Sequence, residues 1–244
     1  MSSADLIFDT LDPHDDTGRN AELFTGWGEA AFRGFHEPRM NAEMRALLLE
    51  STRADRAVLR GAWQREPVLG SGLVPVATYG SLDKTLNVGA GRLLPLRMVT
   101  YVTVSPTHRR RGLLRRLITE DLTDAVARGV PVAALTASEG SIYGRFGFGP
   151  ATSLRRLLVR TDQRFALRSP ADGGSVELVE PAEAWPTVEA LYARHHATTR
   201  GSVGRPHFYQ AILTARFDWD ERSPDHKLRT AVHLDVDGNP DGYV

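Results

Sequence analysis

The residues of this chain whose types and spacing could do chemistry begin at Val102. The string VTVSPTHRRRGLLRRL, Val102 to Leu117, sets a β-branched run against a cluster of cations. Pro106 ends the run, and Thr107-His108-Arg109-Arg110-Arg111-Gly112 leads into an apolar-periodic helix from Leu113. Cations at a helix start oppose the macrodipole, and each costs about a few tenths of a kcal/mol unless an anion sits there. Arg109, Arg110, Arg111, Arg115 and Arg116 crowd that turn. Free backbone N–H groups, a glycine that permits close approach and flanking guanidiniums together make an anion pocket, and a pyrophosphate fits it. The opposing reading is a solvated, Arg-rich helix start. With 28 Arg and 2 Lys in the chain, the Arg triplet alone has little weight. Its placement between a buried strand and a helix start carries the argument.

Other chemistries lack their residues. There is no GxxxxGK[ST], no GxGxxG after a strand, no HExxH and no GxSxG, so the sequence supports no triphosphate loop, dinucleotide fingerprint, metal centre or serine elbow. There is no cysteine, hence no thiolate nucleophile, thiolate metal site or disulfide. His195-His196 reads as a solvated helix face. A second notable stretch is ASEGSIYGRFGFGPAT, Ala137 to Thr152, in which Tyr143 stands among glycines. On the residues alone Tyr143 reads as an aromatic packing a short helix.

The elements that must hold these groups follow from periodicity. Helical spacing predicts helices over 20–35 and 41–56, and β-branched or apolar runs predict strands over 5–11, 57–64, 68–82 and 93–104. A helix from Leu113 stops at Gly129, followed by strands over 130–136 and 153–160 and a short helical turn around 142–146 between them. The unit from Arg97 to Thr136 is a strand–helix–strand crossover, right-handed and parallel by default. The rest of the sheet is expected to be antiparallel, which makes the fold class α/β with a mixed sheet and helices on both faces. A second, incomplete copy then follows: a strand over 175–180, helices over 185–198 and 205–218, a strand over 228–236, a turn over 237–242 and a new strand at Tyr243. The expected division is 1–160 and 161–244. Since the second copy stops after its opening, the chain is expected to be a shortened product of a longer one, or one completed by a partner.

Bulk properties narrow the class. The 41% hydrophobic and 25% charged residues support a sizeable core, and the zero formal net charge argues against nucleic acid or an anionic membrane as principal partner. The acidic start MSSADLIFDTLDPHDD has no basic-then-apolar pattern, and no apolar run approaches the roughly 18 residues a membrane span needs. A cytoplasmic protein is expected.

At Arg110-Arg111-Gly112-Leu113-Leu114-Arg115 the sequence resembles the Arg/Gln-x-x-Gly-x-Gly/Ala acyl-CoA loop of the GNAT N-acetyltransferases, with Leu114-Arg115 in place of the second small residue. VSPTHRRRGLLRRL and ASEGSIYGRFGFGPAT are similar to the Eis-type (enhanced intracellular survival) branch. The close resemblance covers about Arg97 to Thr152. A weaker one, two tandem acetyltransferase-like domains, covers nearly the whole chain.

The resemblance implies a GNAT acyl-CoA N-acyltransferase fold followed by a partial second GNAT-like domain. It implies acetyl-CoA as co-substrate and no metal. Its pantetheine arm would pair with the backbone of Val102, Thr103 and Val104, its pyrophosphate would take amides of Arg110, Arg111, Gly112, Leu113, Leu114 and Arg115, and Ser138 and Glu139 would line its far side. The Val104 N–H would serve the oxyanion, and Tyr143 would be the general acid. Eis-type acceptors are polyamine-like, such as aminoglycosides, held by acidic and aromatic walls, and Trp27, Phe32 and Phe35 sit where such a wall is expected. Gly34 stands where an acidic residue is expected, with Glu29 or Glu37 as substitutes. In the family the general base is the chain's C-terminal carboxylate, and Val244, inside the second copy, is not its equivalent. A homo-oligomer is expected of the full-length form. The alternatives are a protein lysine or N-terminal acetyltransferase and a non-catalytic acyl-CoA-binding module.

Overall fold

The computed structural model describes residues 5–244 apart from 138, 154, 156, 161, 164 and 167–172. Its first sheet has the order β1 (Leu6–Leu11), β2 (Val58–Gln64), β3 (Ala77–Gly89), β4 (Arg92–Val104), β5 (Val132–Leu135). β1 to β4 are antiparallel neighbours, while β5 joins β4 in parallel. That parallel pair is the crossover expected from Arg97 to Thr136, with α3 (Leu113–Ala127) as its connection.

Strand alternation sends side chains to two cores. Leu59 and Trp63 of β2 and Leu82 of β3 pack with α1 (Gly18–Gly34) and α2 (Ala42–Ala54), whereas Ala62, Ala77, Tyr79 and Val99 pack with α3 on the opposite face. The helix ends are set by local chemistry. The Met44 N–H donates to the Asn41 side chain at 2.8 Å, capping α2, and Gly129 takes the left-handed conformation (φ 72°) that closes α3.

A second sheet, β6 (Ser175–Val179), β7 (Thr230–Leu234), β8 (Pro240–Tyr243), is antiparallel in that order. α4 (Pro181–Thr198) and α5 (Phe208–Leu213) lie between β6 and β7 in the chain, so the β-α-α-β-β order of the opening recurs. The second unit docks on the half of β3 that overhangs β2. Gly201 N–H donates to Asn87 O (2.8 Å), Asn87 N–H to Ser202 O (3.0 Å) and Gly204 N–H to Thr85 O (2.8 Å).

Five expectations change. The strand expected over 68–82 starts at Ala77 and runs on to Gly89, leaving Val68 and Leu69 almost fully exposed. The described residues of 153–160 form no strand, and Leu157, Leu158 and Val159 face solvent. α5 is less than half the length expected, and the turn expected over 237–242 ends where β8 begins at Pro240. His196 is buried: its Nε2 meets Thr85 Oγ1 at 2.8 Å and its Nδ1 meets Ser202 Oγ at 2.9 Å, so it joins the two units. Burial, then the neighbouring His195, hold its pKa below the ordinary imidazole value. Among the described residues no helix is long and apolar enough to cross a membrane.

Candidate active site

The site is made by an irregularity in β4. Thr78 pairs with Thr103 but Gly80 pairs with Thr100, so Tyr79 alone opposes Tyr101 and Val102. Tyr101 is the bulged residue, in the left-handed region at φ 51°. Its carbonyl accepts the Thr78 hydroxyl at 2.7 Å, and a Cβ at Gly80 would stand 2.9 Å from the Tyr101 ring, so glycine is required opposite the bulge. The extra residue resets the alternation: Arg97 and Val99 face α3, Tyr101 turns toward α1 and α2, and Val102 and Val104 face α3 again. Burial, then the Asp55 charge, push the Tyr101 phenol up to about 12.

β5 pairs with β4 only as far as Val99 and Leu135, so among the described residues Thr100 to Val104 have no parallel neighbour and a gap opens. Ser105 N–H donates to Val76 O at 2.8 Å, toward β3. By strand alternation the Val104 N–H points the other way, into the gap.

The loop after β4 offers the donors that an anion needs. Arg110 (φ 64°) and Gly112 (φ 78°) are both left-handed, and α3 begins without a side-chain cap and without an acidic residue in its first turn. The first-turn N–H groups are therefore open donors, as helix starts leave them. Arg109, Arg110 and Arg115 stand exposed around them, while His108 is buried with Nε2 lacking a hydrogen-bond partner among the described residues. Burial, then the charge of Arg111, hold His108 below its ordinary pKa. Open amides, exposed guanidiniums and an unpaired buried nitrogen fit a diphosphate.

Beyond β5, 3-10 turns over Gly140–Ile142 and Gly144–Phe146 bracket Tyr143. The Phe148 ring holds it edge-on with centroids 6.0 Å apart, and the Phe146 N–H donates to its carbonyl at 2.9 Å. Tyr143 is half-buried. Burial, then the Glu139 charge, raise its phenol pKa.

One cavity of about 1390 Å³ joins these parts. Drug-sized ligand sites hold about 300–1,000 Å³, so this one can take a cofactor and an acceptor together. Val102, Thr103, Val104, Arg110, Gly112, Leu113, Leu114, Arg115, Glu139, Tyr143 and Phe35 line it, as does the Arg109 missing from the expected set. Arg111 does not: it is exposed and donates to the Thr107 carbonyl at 3.2 Å. Ser138 lies outside the described residues.

The expected acceptor wall is corrected more heavily. Trp27 has no exposed surface; it packs edge-on against Tyr101 and its indole N–H donates to Arg60 O at 2.8 Å. Phe32 is core, 6.2 Å from the Trp219 ring. Glu37 is spent on an ion pair with Arg222 at 3.1 Å. Tyr101 and Asp55 line the cavity instead, with Tyr192, Arg205, Phe208, Tyr209 and Tyr243 of the second unit.

Gly34 is glycine for a steric reason. A Cβ there would lie 2.4 Å from Thr103, because the end of α1 rests on the splayed strand. Gly34→Ala is expected to cost about 1–3 kcal/mol, as overpacked cores do, read as a lowered denaturation midpoint. An unchanged midpoint would show that the helix end moves freely off β4.

A family model for an acetyltransferase (GNAT) domain matches residues 29–151. The chain belongs to the GNAT family. Within it the chain is of Eis type. It is 41% identical over 183 residues to the N-acetyltransferase Eis of Mycobacterium tuberculosis, covering 72% of this chain and 42% of that relative. It is 40% identical over 197 residues to an uncharacterized N-acetyltransferase of Streptomyces coelicolor, covering 80% and 46%. This GNAT chain thus spans less than half the length of these curated relatives. Among solved structures it is similar to Eis1 of Mycobacterium abscessus, with a TM-score of 0.64 and 29% identity over 98% of this chain and 52% of that one. A probable N-acyltransferase of Enterococcus faecalis shares the fold alone, at 15% identity and TM-score 0.68, over 98% of this chain and 54% of that one.

Proposed function

We propose that this chain is an acetyl-CoA-dependent N-acetyltransferase acting on an amine of a small molecule. The observation that carries the reading is the gap in β4: an unpaired strand segment with the Val104 N–H turned into it, an uncapped helix start at one end and Tyr143 across from it. Acetyl-CoA supplies the activated acyl group. The open amides of the Arg110–Arg115 loop bind its diphosphate, and the strand edge at 102–104 holds its amide arm. The Val104 N–H faces the carbonyl oxygen as charge gathers there, a contribution worth about 3 kcal/mol for a well-placed donor. As the amine nitrogen bonds to the carbonyl carbon and the carbon–sulfur bond breaks, the Tyr143 hydroxyl gives its proton to the departing sulfur and regains one, through solvent, from the nitrogen. Glu139 flanks the same cavity.

The Eis-type resemblance supports amine acceptors in general and polyamine-like ones, such as aminoglycosides, in particular. Consumption of acetyl-CoA against a panel of amines tests the reading. Tight binding of acetyl-CoA with no acetylation of any amine would leave only a binding module. The loop has its own test. Arg110→Ala with Arg115→Ala is expected to weaken CoA binding about tenfold or more, since hydrogen bonds to charged groups contribute about 1.5–3 kcal/mol each. Unchanged affinity in calorimetry would remove the diphosphate from this loop.

A further inference from the structure

The bulge at Tyr101 sends a side chain out of β4 just where the gap begins. β4 loses its parallel neighbour at Thr100, and three residues of strand, about 10 Å, separate Tyr101 from Val104. The ring is fixed from two sides: Trp27 meets it edge-on with centroids 5.3 Å apart, and Gly80 leaves the room it occupies. Tyr101 is half-buried and lines the cavity. Its hydroxyl makes no hydrogen bond among the described residues, and the oxygen keeps a surface open to the cavity.

A second hydroxyl belongs to the same wall. Ser51 lies on α2 one turn before Asp55 and lines the cavity, and its Oγ also has no partner among the described residues. Ser51 and Tyr101 border one small recess as well, which places them close together. Burial first, and then the negative charge of Asp55, oppose ionisation of the Tyr101 phenol, so the hydroxyl stays neutral. The same negative charge favours a cation beside that oxygen. Asp55 is paired with Lys84, and of the two it is Asp55 whose charge is felt at the phenol. An ammonium carries three donors and no acceptor. It needs what this wall offers: hydroxyl oxygens without partners, an aromatic ring and a negative field.

Tyr101 packs on the α1–α2 side of the sheet and Tyr143 on the α3 side. An acceptor anchored at Tyr101 therefore approaches the thioester from the face opposite the acid. We propose that Tyr101, with Ser51, holds the second, unreacting nitrogen of an acceptor that carries two amines, while the first nitrogen reaches the gap at Val104. This rests on the acetyltransferase reading and narrows its acceptors to amines with a further ammonium about 10 Å from the reacting one, the length of strand between anchor and gap. Hexamethylenediamine, extended, spans that distance.

The test offers hexamethylenediamine and hexylamine, matched in length, to the chain with acetyl-CoA while CoA release is followed. The diamine is expected to have a kcat/KM at least about tenfold higher, the effect of a hydrogen bond to a charged group. Tyr101→Phe keeps the ring and its contacts and removes only the oxygen. It is expected to cut that preference about tenfold, chiefly through KM. Ser51→Ala added to it is expected to leave only the statistical advantage of two equivalent nitrogens. Parental affinity for acetyl-CoA shows that the variants fold. Equal use of the two amines, or a preference that Tyr101→Phe does not move, overturns the proposal and leaves the acetyltransferase reading standing. If no amine is acetylated, that reading fails instead. The anchor is then judged by calorimetric binding of hexamethylenediamine to the CoA-loaded chain: binding that Tyr101→Phe weakens supports it, and no binding, or binding that the variant leaves unmoved, overturns it.

Discussion

Tyr143→Phe is expected to lower kcat about 10²- to 10⁴-fold while acetyl-CoA affinity stays within about twofold, because a positioned acid adds that much to a rate and little to binding. The phenyl ring keeps the edge-on contact with Phe148, so the variant loses the hydroxyl and not the packing. The pH dependence has a definite sign. Burial and Glu139 raise the phenol pKa, so the protonated, competent form persists through the neutral and mildly alkaline range and is lost only as pH rises through that raised value. From pH 7 to 9 the rate should show no decline owed to this group. A profile of kcat measured under saturating amine checks it. A variant with near-parental kcat would move proton delivery to water and leave Tyr143 as packing.

Periodicity reached the loop and the bulk of β4, and the family resemblance singled out Tyr143, because these are local: a strand, a glycine, a helix start and a glycine-framed tyrosine lie within one short stretch. The failures have the opposite character. Asp83, Lys84 and Thr85 disguise the second half of β3 as a loop, yet their partners are Arg97, Asp55 and His196, all distant in sequence. Val68 and Leu69 look strand-like, but they sit beside Gly70-Ser71-Gly72 and no neighbour pairs with them. Leu157 to Val159 are apolar enough for a strand, and a strand needs a partner that composition does not reveal. Trp27 shares the helical spacing of Ala30 and Ala31, which are buried on α1, and that argued for core from the start. The second-unit wall was out of reach. Arg205, Tyr192 and Tyr243 become cavity residues only because 201–204 docks along β3, a pairing across more than a hundred residues.

Asp121→Ala is expected to cost about 3–5 kcal/mol, the typical result of breaking a buried ion pair from one side. Asp121 has no exposed surface and sits on α3 facing the sheet. It accepts from Arg60 Nη1 at 2.5 Å, Ser81 Oγ at 2.7 Å and Tyr79 OH at 3.0 Å, and Arg97 Nε lies 3.7 Å away. Burial, then the Asp121 charge, push the Tyr79 phenol far above its ordinary value, keeping it a hydrogen-bond donor. Removing the carboxylate would strand the Arg60 guanidinium and the Ser81 and Tyr79 hydroxyls in a closed space. Ser81→Ala removes a single hydrogen bond and should cost about 1 kcal/mol. Denaturant unfolding of the two variants separates the cases, and a loss below about 1 kcal/mol for Asp121→Ala would mean that Asp83 and Asp124, each 3.0 Å from Arg97, neutralise the cluster alone. The same residue bears on the site. Asp121 ties the middle of α3 to β2 and β3, and the N-terminus of α3 is the end proposed to hold the diphosphate. A helix released from that anchor would misplace its first-turn amides. Asp121→Ala should therefore weaken CoA binding even under conditions where the chain stays folded.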